Sequence, residues 1–447
     1  MEVVLFIAQL LVVLGCIVMG TRSSGVGLGL WGGAGVAILV FGFRLVPGSP
    51  PVDALLIVLA VVVAASMMQV AGGIDWMVSV AAKLIARNPK QITLVAPLVS
   101  FLFSVGAGTS NILYPLLPVI QDLSYRNGIR PSRPLSLSVV ATGVALACSP
   151  VSAAMAAMVT LTDVAPYDFE LIDILKVTIP AAVVGIVLSS LVVNRLGKEL
   201  ADDPEVQAKI AAGTLAPPSG DAAEVKAQVT VTKAGRNAAI IFLTGVLVIV
   251  VFGLFKSIRP VDADGAPIGM TPIIEIVMLL AGTVILLVSR PKVAEVPMAT
   301  VFRAGMVSAI ALFGLAWLTD TFLTAHAELI ADTVGGLVAA APWVFALGVF
   351  LVCVLTTSQS TATRTIVPIG LSAGIPLGVL SGMWAGAFAG IYVLPTNGSQ
   401  IAAANFDTSG TTKLGTKLVD HSFFLPSLIL AVTTIAAGSL FGLLWGG

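Results

Sequence analysis

The sequence predicts an all-α polytopic membrane protein built as two inverted repeats, each with five crossings, one re-entrant hairpin and one interrupted helix. Three observations predict it. Of the 447 residues, 57% are hydrophobic and only 10% charged, with a mean hydropathy of +1.04. A soluble domain carries about 25% charged residues, so the solvent for most of this surface is lipid. The chain also holds many more apolar runs of about 20 residues, the length that crosses a bilayer, than a single anchor needs. Finally, four further apolar stretches are broken near their centres by polar residues, glycine or proline.

The elements follow in order. The opening "MEVVLFIAQLLVVLGCIVMG" lacks the basic start and cleavage site of a signal peptide and reads as a retained span over 2–20. Further plain spans are predicted at 25–46, 52–71, 172–193, 238–256, 272–289, 300–318 and 420–445. The broken stretches are 91–125, 134–162, 341–374 and 376–405. Between the halves runs a hydrophilic segment containing "LAPPSGDAAEVK", whose Pro, Gly and charge mark a linker. The division is a first repeat over 1–194, a cytoplasmic linker over 195–236 and a second repeat over 237–447. Each half gives three plain spans, then a short amphipathic segment ("GIDWMVSVAAKLIARNPK" or "DTFLTAHAELIADTVGG"), two broken segments and a closing span. If the first broken segment enters and leaves on one face and the second crosses, each half crosses five times. An odd number turns the second half upside down, as in many secondary transporters.

Basic residues test this topology. With both termini on one face, that face receives only Arg44, Lys176, Lys256 and Arg259 of the 23 Lys and Arg; Arg364 lies within a membrane segment and the rest fall opposite. The positive-inside rule makes the rich face cytoplasmic and puts both termini outside. Zero net charge gives no reason to expect a nucleic-acid partner. Three cysteines in apolar runs read as small hydrophobes, and two histidines exclude a His-rich metal centre.

The breaks carry the chemistry. Every backbone N–H and C=O within the bilayer needs a partner, so unwound chain is tolerated only against protein or a wet cavity. In "FSVGAGTSNILYPLLP", Gly106, Ala107 and Gly108 permit a turn, and Thr109, Ser110 and Asn111 bring polar groups to it. The start of the helix that follows suits an anion, and the end of the helix before suits a cation. "ACSPVSAAM" breaks at Ser149, Pro150 and Ser152, and proline removes a helix hydrogen bond. "TTSQSTATR" supplies Ser358, Gln359, Ser360, Thr361 and Arg364; "LPTNGSQ" supplies Thr396, Asn397, Ser399 and Gln400. Hydroxyls and amides in such places also simply pin helices together. A charge at mid-bilayer costs roughly 2.5 kcal/mol or more on insertion scales. Arg364 therefore either snorkels to the surface or offers its fork to a carboxylate. His326 and His421 sit near segment ends and read as ordinary.

The stretches "PGSPPVDALLIVLAVVVAAS", "ARNPKQITLVAPLVS", "RNGIRPSRP", "SPVSAA", "VFRAGM", "TSQSTA", "YVLPT", "FDTSGTTKLG" and "DHSFFLP" resemble, in order and nearly end to end, the anaerobic C4-dicarboxylate transporter (Dcu) family. The resemblance implies exchange or uptake of fumarate, succinate, malate or aspartate across a bacterial inner membrane. It also implies the ion-transporter superfamily fold, in which the hairpin domain moves like an elevator against a scaffold. The sequence departs from that pattern at three places. The first tip has Gly108, Thr109, Ser110 and Asn111 where the family reads Gly-Thr-Gly-His. Asn397, Gly398, Ser399 and Gln400 stand where it reads Tyr-Pro-Ser-Asp, and Ser360, Thr361, Thr363 and Arg364 stand in a usually Ala-rich hairpin. A titratable pair is lost and a fixed cation gained. The first tip is closer to the Ser-Asn-Thr tips of sodium-coupled dicarboxylate carriers.

The expected function is secondary active transport of a C4-dicarboxylate, by exchange or by symport with Na+ or H+. The expected partners are the dicarboxylate and the lipid bilayer, without nucleic acid. No cofactor is expected, and no metal is assigned beyond Na+ near Ser110, Asn111 and Ser149 or near Ser360, Thr361 and Asn397. Glycines in "GVGLGLWGGAG" permit tight helix contact and offer a homodimer face. The rivals are carriage of another small anion by the same machinery, and a channel. No Ser-His pair, paired Asp or ATP-binding Gly-Lys-Ser/Thr loop supports an enzyme.

Overall fold

The computed structural model describes residues 2–23, 26–218, 230–262, 265–326, 329, 341–416 and 419–445. Their regular structure is helical apart from one isolated bridge between Val261 and Pro267. The first half holds α1 (Glu2–Ser23), α2 (Gly27–Ala37, prolonged by a π-helical turn Ile38–Gly42), α3 (Val52–Val70), α4 (Gly73–Ala86), α5 (Ile92–Ala107), α6 (Leu117–Arg126), α7 (Ser132–Ala145), α8 (Ala153–Thr162) and α9 (Leu171–Val193). A short α10 (Pro204–Ala211) precedes α11 (Lys233–Leu254), α12 (Met270–Ser289), α13 (Thr300–Ala325), α14 (Trp343–Thr356), α15 (Gln359–Ser372), α16 (Leu377–Ala387), α17 (Gly398–Phe406) and α18 (Phe424–Trp445). Seven helical stretches among the described residues are long and apolar enough to cross a membrane.

All four broken stretches are broken in the structure: α5 from α6, α7 from α8, α14 from α15 and α16 from α17. The boundaries need correction elsewhere. Helix α13 runs on to Ala325 and absorbs "DTFLTA", so that part of the second amphipathic segment extends a span. Residues 327–328 and 330–340, the rest of that segment, lie outside the described residues, as do 219–229 of the linker. Helix α11 begins at Lys233, inside the stretch read as linker. The linker also has structure of its own. Residues Leu200 and Val206 bury themselves against Tyr125, and Arg130 pairs with Asp203, Arg133 with Glu199 and Lys413 with Glu205. Apolar residues four to six apart gave no long period to read, yet they suffice to dock one turn-rich segment.

Packing sorts the helices into two bodies that cut across the sequence halves. A frame consists of α1–α3 with α11–α13; a hairpin body consists of α5–α9 with α14–α18. Close approach depends on glycine at two crossings. A Cβ on Gly314 would lie 1.9 Å from the Gly29 carbonyl oxygen, and one on Gly382 would lie 2.2 Å from backbone of Gly438. The first crossing joins α2 to α13 within the frame. Gly29 and Gly32, read as an offered dimer face, therefore spend their bare surface inside the chain.

Candidate functional site

The first tip forms because α5 cannot continue past Ala107. Gly108 adopts a left-handed conformation (φ 67°) and Thr109 is extended, its side chain accepting from the Asn111 N–H at 3.2 Å. A tight 3-10 turn, Ser110–Leu116, follows. A Cβ at Gly108 would sit 2.7 Å from the Val151 carbonyl oxygen, so this tip presses on the break between α7 and α8. The Ser149 hydroxyl fastens that contact by donating to the Val105 carbonyl at 2.7 Å, and Ser152 caps α8 by accepting from the Met155 N–H at 3.0 Å.

The second tip turns at Thr357, a left-handed residue (φ 50°). Ser358 caps α15, accepting from the Thr361 N–H at 3.2 Å and from the Thr361 hydroxyl at 2.9 Å. The Gln359 amide donates to the Gly143 carbonyl at 3.3 Å and so ties this tip to the end of α7. The two hairpins thus share the first interrupted helix as a support.

Both tips line one cavity of about 410 Å³. Thr109, Ser110, Asn111, Ser358, Gln359, Ser360, Thr361 and Arg364 all border it, so Asn111 and Ser360 belong to one site. The start of α8, Ser152 to Ala154, joins them. The opposite wall comes from the frame: Ile57, Val58, Val61 and Val62 on α3, and Leu312 and Leu315 on α13, with Ser308 its one hydroxyl. Polar groups therefore come almost wholly from the hairpin body, and the frame offers a smooth apolar face.

Six predicted residues do not border the cavity: Ser149, Pro150, Thr396, Asn397, Ser399 and Gln400. Ser149 is spent on Val105. Asn397 accepts from the Ser399 N–H and hydroxyl, while Gln400 accepts from the Asn397 N–H and donates to the Tyr392 carbonyl at 2.9 Å. Thr396 is exposed. The reading missed Ser152, Thr356, Thr357 and Ser308 as lining residues. Ser152 is part of the expected break but not an expected binding residue, although a serine at a helix start was a usable signal. Ser308 had none, sitting alone in a plain span.

Arg364 is 5% exposed, and its Nε and Nη2 have no hydrogen-bond partner among the described residues. It does not snorkel. No Asp or Glu stands among the described residues around the cavity. Two helix starts, those of α8 and α15, face it together with this guanidinium, and helix N-termini favour negative charge. The arrangement concentrates positive potential on the hairpin side of the cavity. The helix ends that would suit a cation are partly occupied: Val105 O takes Ser149, and Val352 O takes the Thr356 hydroxyl at 2.7 Å.

Comparison with known proteins agrees with this architecture. Over 450 aligned residues the chain is 36% identical to the anaerobic C4-dicarboxylate transporter DcuB of Escherichia coli O6:H1, covering 99% of both. It is 31% identical to the C4-dicarboxylate transporter DcuA of Wolinella succinogenes, covering 97% of this chain and 98% of that one. Among solved structures, the YdaH transporter of Alcanivorax borkumensis superposes with a TM-score of 0.62 over 99% of this chain and 98% of its own, at 15% identity. MtrF of Neisseria gonorrhoeae, of a class of antimetabolite efflux pumps, superposes with a TM-score of 0.53 over 85% of this chain and 80% of its own, at 14% identity. At those identities the likeness concerns the fold. The family model described as anaerobic C4-dicarboxylate membrane transporter matches residues 5–446, and the chain belongs to that family of transporters, not to the enzymes.

Proposed function

We propose that the protein is a secondary carrier of C4-dicarboxylates such as fumarate, succinate, malate or aspartate, working by exchange or by cation symport in a bacterial inner membrane. One observation carries this reading: a buried guanidinium with unpartnered nitrogens, set beside two helix starts in a cavity without carboxylates. An Arg fork matches a carboxylate in shape and charge. The second carboxylate of the substrate meets Ser110, Asn111, Ser358, Ser360 and Thr361. A cavity of about 410 Å³ falls in the usual range for small-molecule sites and leaves room for a four-carbon diacid with water.

The division of labour in the walls supports carriage by movement. Substrate held by the hairpin body alone slides with it along the apolar frame. The repeated order of broken helices supports two inverted repeats with both termini outside. Sodium, if coupled, is held near Ser110 and Asn111 or near Ser360 and Thr361, rather than at Ser149 or Asn397, whose side chains are engaged. The test is uptake and counterflow in proteoliposomes, with proton and sodium gradients imposed separately. Arg364→Gln is expected to lower kcat/KM for dicarboxylate uptake roughly 100-fold; unchanged affinity would remove Arg364 from the site. A second reading, carriage of another small anion, draws on the loss of the tip histidine and of the aspartate after Pro395. A competition panel of mono- and dicarboxylates decides between them.

A further inference from the structure

The cavity lies on the seam between frame and hairpin body. A carrier that opens it to each side in turn must move one body against the other. Polar links across the seam then break in every cycle.

Ion pairs between described residues cross that seam at one place, around Glu170. Glu170 caps α9, in the hairpin body. Its two carboxylate oxygens accept from Nη1 and Nη2 of Arg259 at 3.1 and 2.6 Å, and Lys256 Nζ lies 3.0 Å away. Both cations follow α11, in the frame, where Arg259 is anchored by the Phe252 carbonyl at 2.8 Å and the Gly253 carbonyl at 3.3 Å. Glu170 is 8% exposed and Arg259 5%, so this is a dry fork-to-fork pair and not a solvated surface contact. Asp163, just past α8, lies close enough to feel the charges of Glu170, Arg259 and Lys256.

We propose that Glu170 and Arg259 form a latch between the two bodies on the face where α9 begins, and that it must open in each transport cycle. The inference rests on the carrier reading above. Separating a buried bidentate pair leaves both charges to be hydrated before either body can travel, so the latch sets how long this conformer lasts. Lys256, 60% exposed at its side chain, brings a second cation to the same carboxylate from the surface.

The experiment locks the latch after folding. Glu170→Cys and Arg259→Cys are combined, the protein is reconstituted in proteoliposomes, and a short bis-methanethiosulfonate joins the pair. The native cysteines Cys16, Cys148 and Cys353 are first replaced by alanine, so that the reagent meets only the introduced pair. The expected result is a fall of at least about tenfold in dicarboxylate exchange, restored by reductant, with substrate-induced thermal stabilisation retained. Fully cross-linked protein that exchanges at the unlinked rate overturns the latch. Exchange by wild type and by the unlinked pair is measured in the same preparations. Failure of the carrier reading appears there, and failure of the latch only after cross-linking.

Discussion

The two interrupted helices occupy matching places in the two halves and behave differently. Between α7 and α8 the break opens onto the cavity, with Val151 to Ala154 in its wall. Between α16 and α17 the break closes on itself, since Asn397, Ser399 and Gln400 satisfy one another and the Tyr392 carbonyl. The hairpins reverse the contrast. The first brings only neutral groups to the cavity, Thr109, Ser110 and Asn111, while the second brings the charge of Arg364. The first half therefore opens two elements onto the cavity, its hairpin tip and its interrupted helix, and the second half one, its hairpin tip, so the cavity wall is completed only where the halves meet. A polar residue at a membrane break is thus no sign of substrate contact until its own backbone demands are counted.

Substitutions can break this contrast, and the largest effect falls on the charge. A hydrogen bond to a charged group is worth about 1.5–3 kcal/mol, so losing the fork of Arg364 should lower kcat/KM roughly 100-fold in Arg364→Gln, with Arg364→Lys intermediate. Gly108→Val should come next. Its left-handed backbone and its 2.7 Å approach to Val151 O leave no room for a side chain, and strain of this kind costs about 1–3 kcal/mol. Reduced folded yield and a lower melting temperature are the expected readout. Asn111→Ala should raise KM about tenfold with folding intact, a loss of about 1.4 kcal/mol. Equal substrate affinity in Asn111→Ala and wild type would mean that the first tip is scaffolding after all.

Smaller effects test the supporting elements. Asn397→Ala should cost about 1 kcal/mol of stability through the lost cap and leave KM unchanged; a raised KM would return the second break to the site. A pH effect is expected at the latch. Burial first, and then the charge of Glu170, push the Asp163 carboxyl up to about 6, although the Met270 N–H, Arg259 and Lys256 work the other way. Glu170 itself would be raised by burial, but hydrogen bonds from Arg259 and Lys256 hold it below the ordinary range, so it stays charged there. Once the bodies separate, water restores Asp163 to its ordinary value. The latched conformer therefore binds the proton more tightly. It is favoured below about pH 6 and loses that advantage as pH rises through it. Exchange should slow severalfold on acidifying that face, and Asp163→Asn should flatten the profile.

Much of the fold was legible because lipid imposes length and dryness. Apolar runs of about 20 residues had few alternatives, and Gly108, Pro150, Ser358 and Pro395 marked real interruptions because nothing in hydrocarbon repairs a broken ladder. The fate of individual polar side chains was less legible. Gln359 and Ser149 have the same composition signal, yet one borders the cavity and the other is consumed by Val105. The docked linker escaped notice because its core is a handful of residues, Tyr125, Leu200 and Val206, far apart in sequence.

By itself the amino-acid order determined that this is a helical chain in lipid, broken at four polar points. Those properties are local: hydropathy, helix breakers and charge act residue by residue along the bilayer normal. Only tertiary structure decided that Nε and Nη2 of Arg364 find no partner among the described residues, that the frame presents an apolar wall, and that Glu170 reaches across to Arg259. Those are outcomes of distance between remote segments, and whether a polar group is free or satisfied depends on which distant backbone lies within about 3 Å of it.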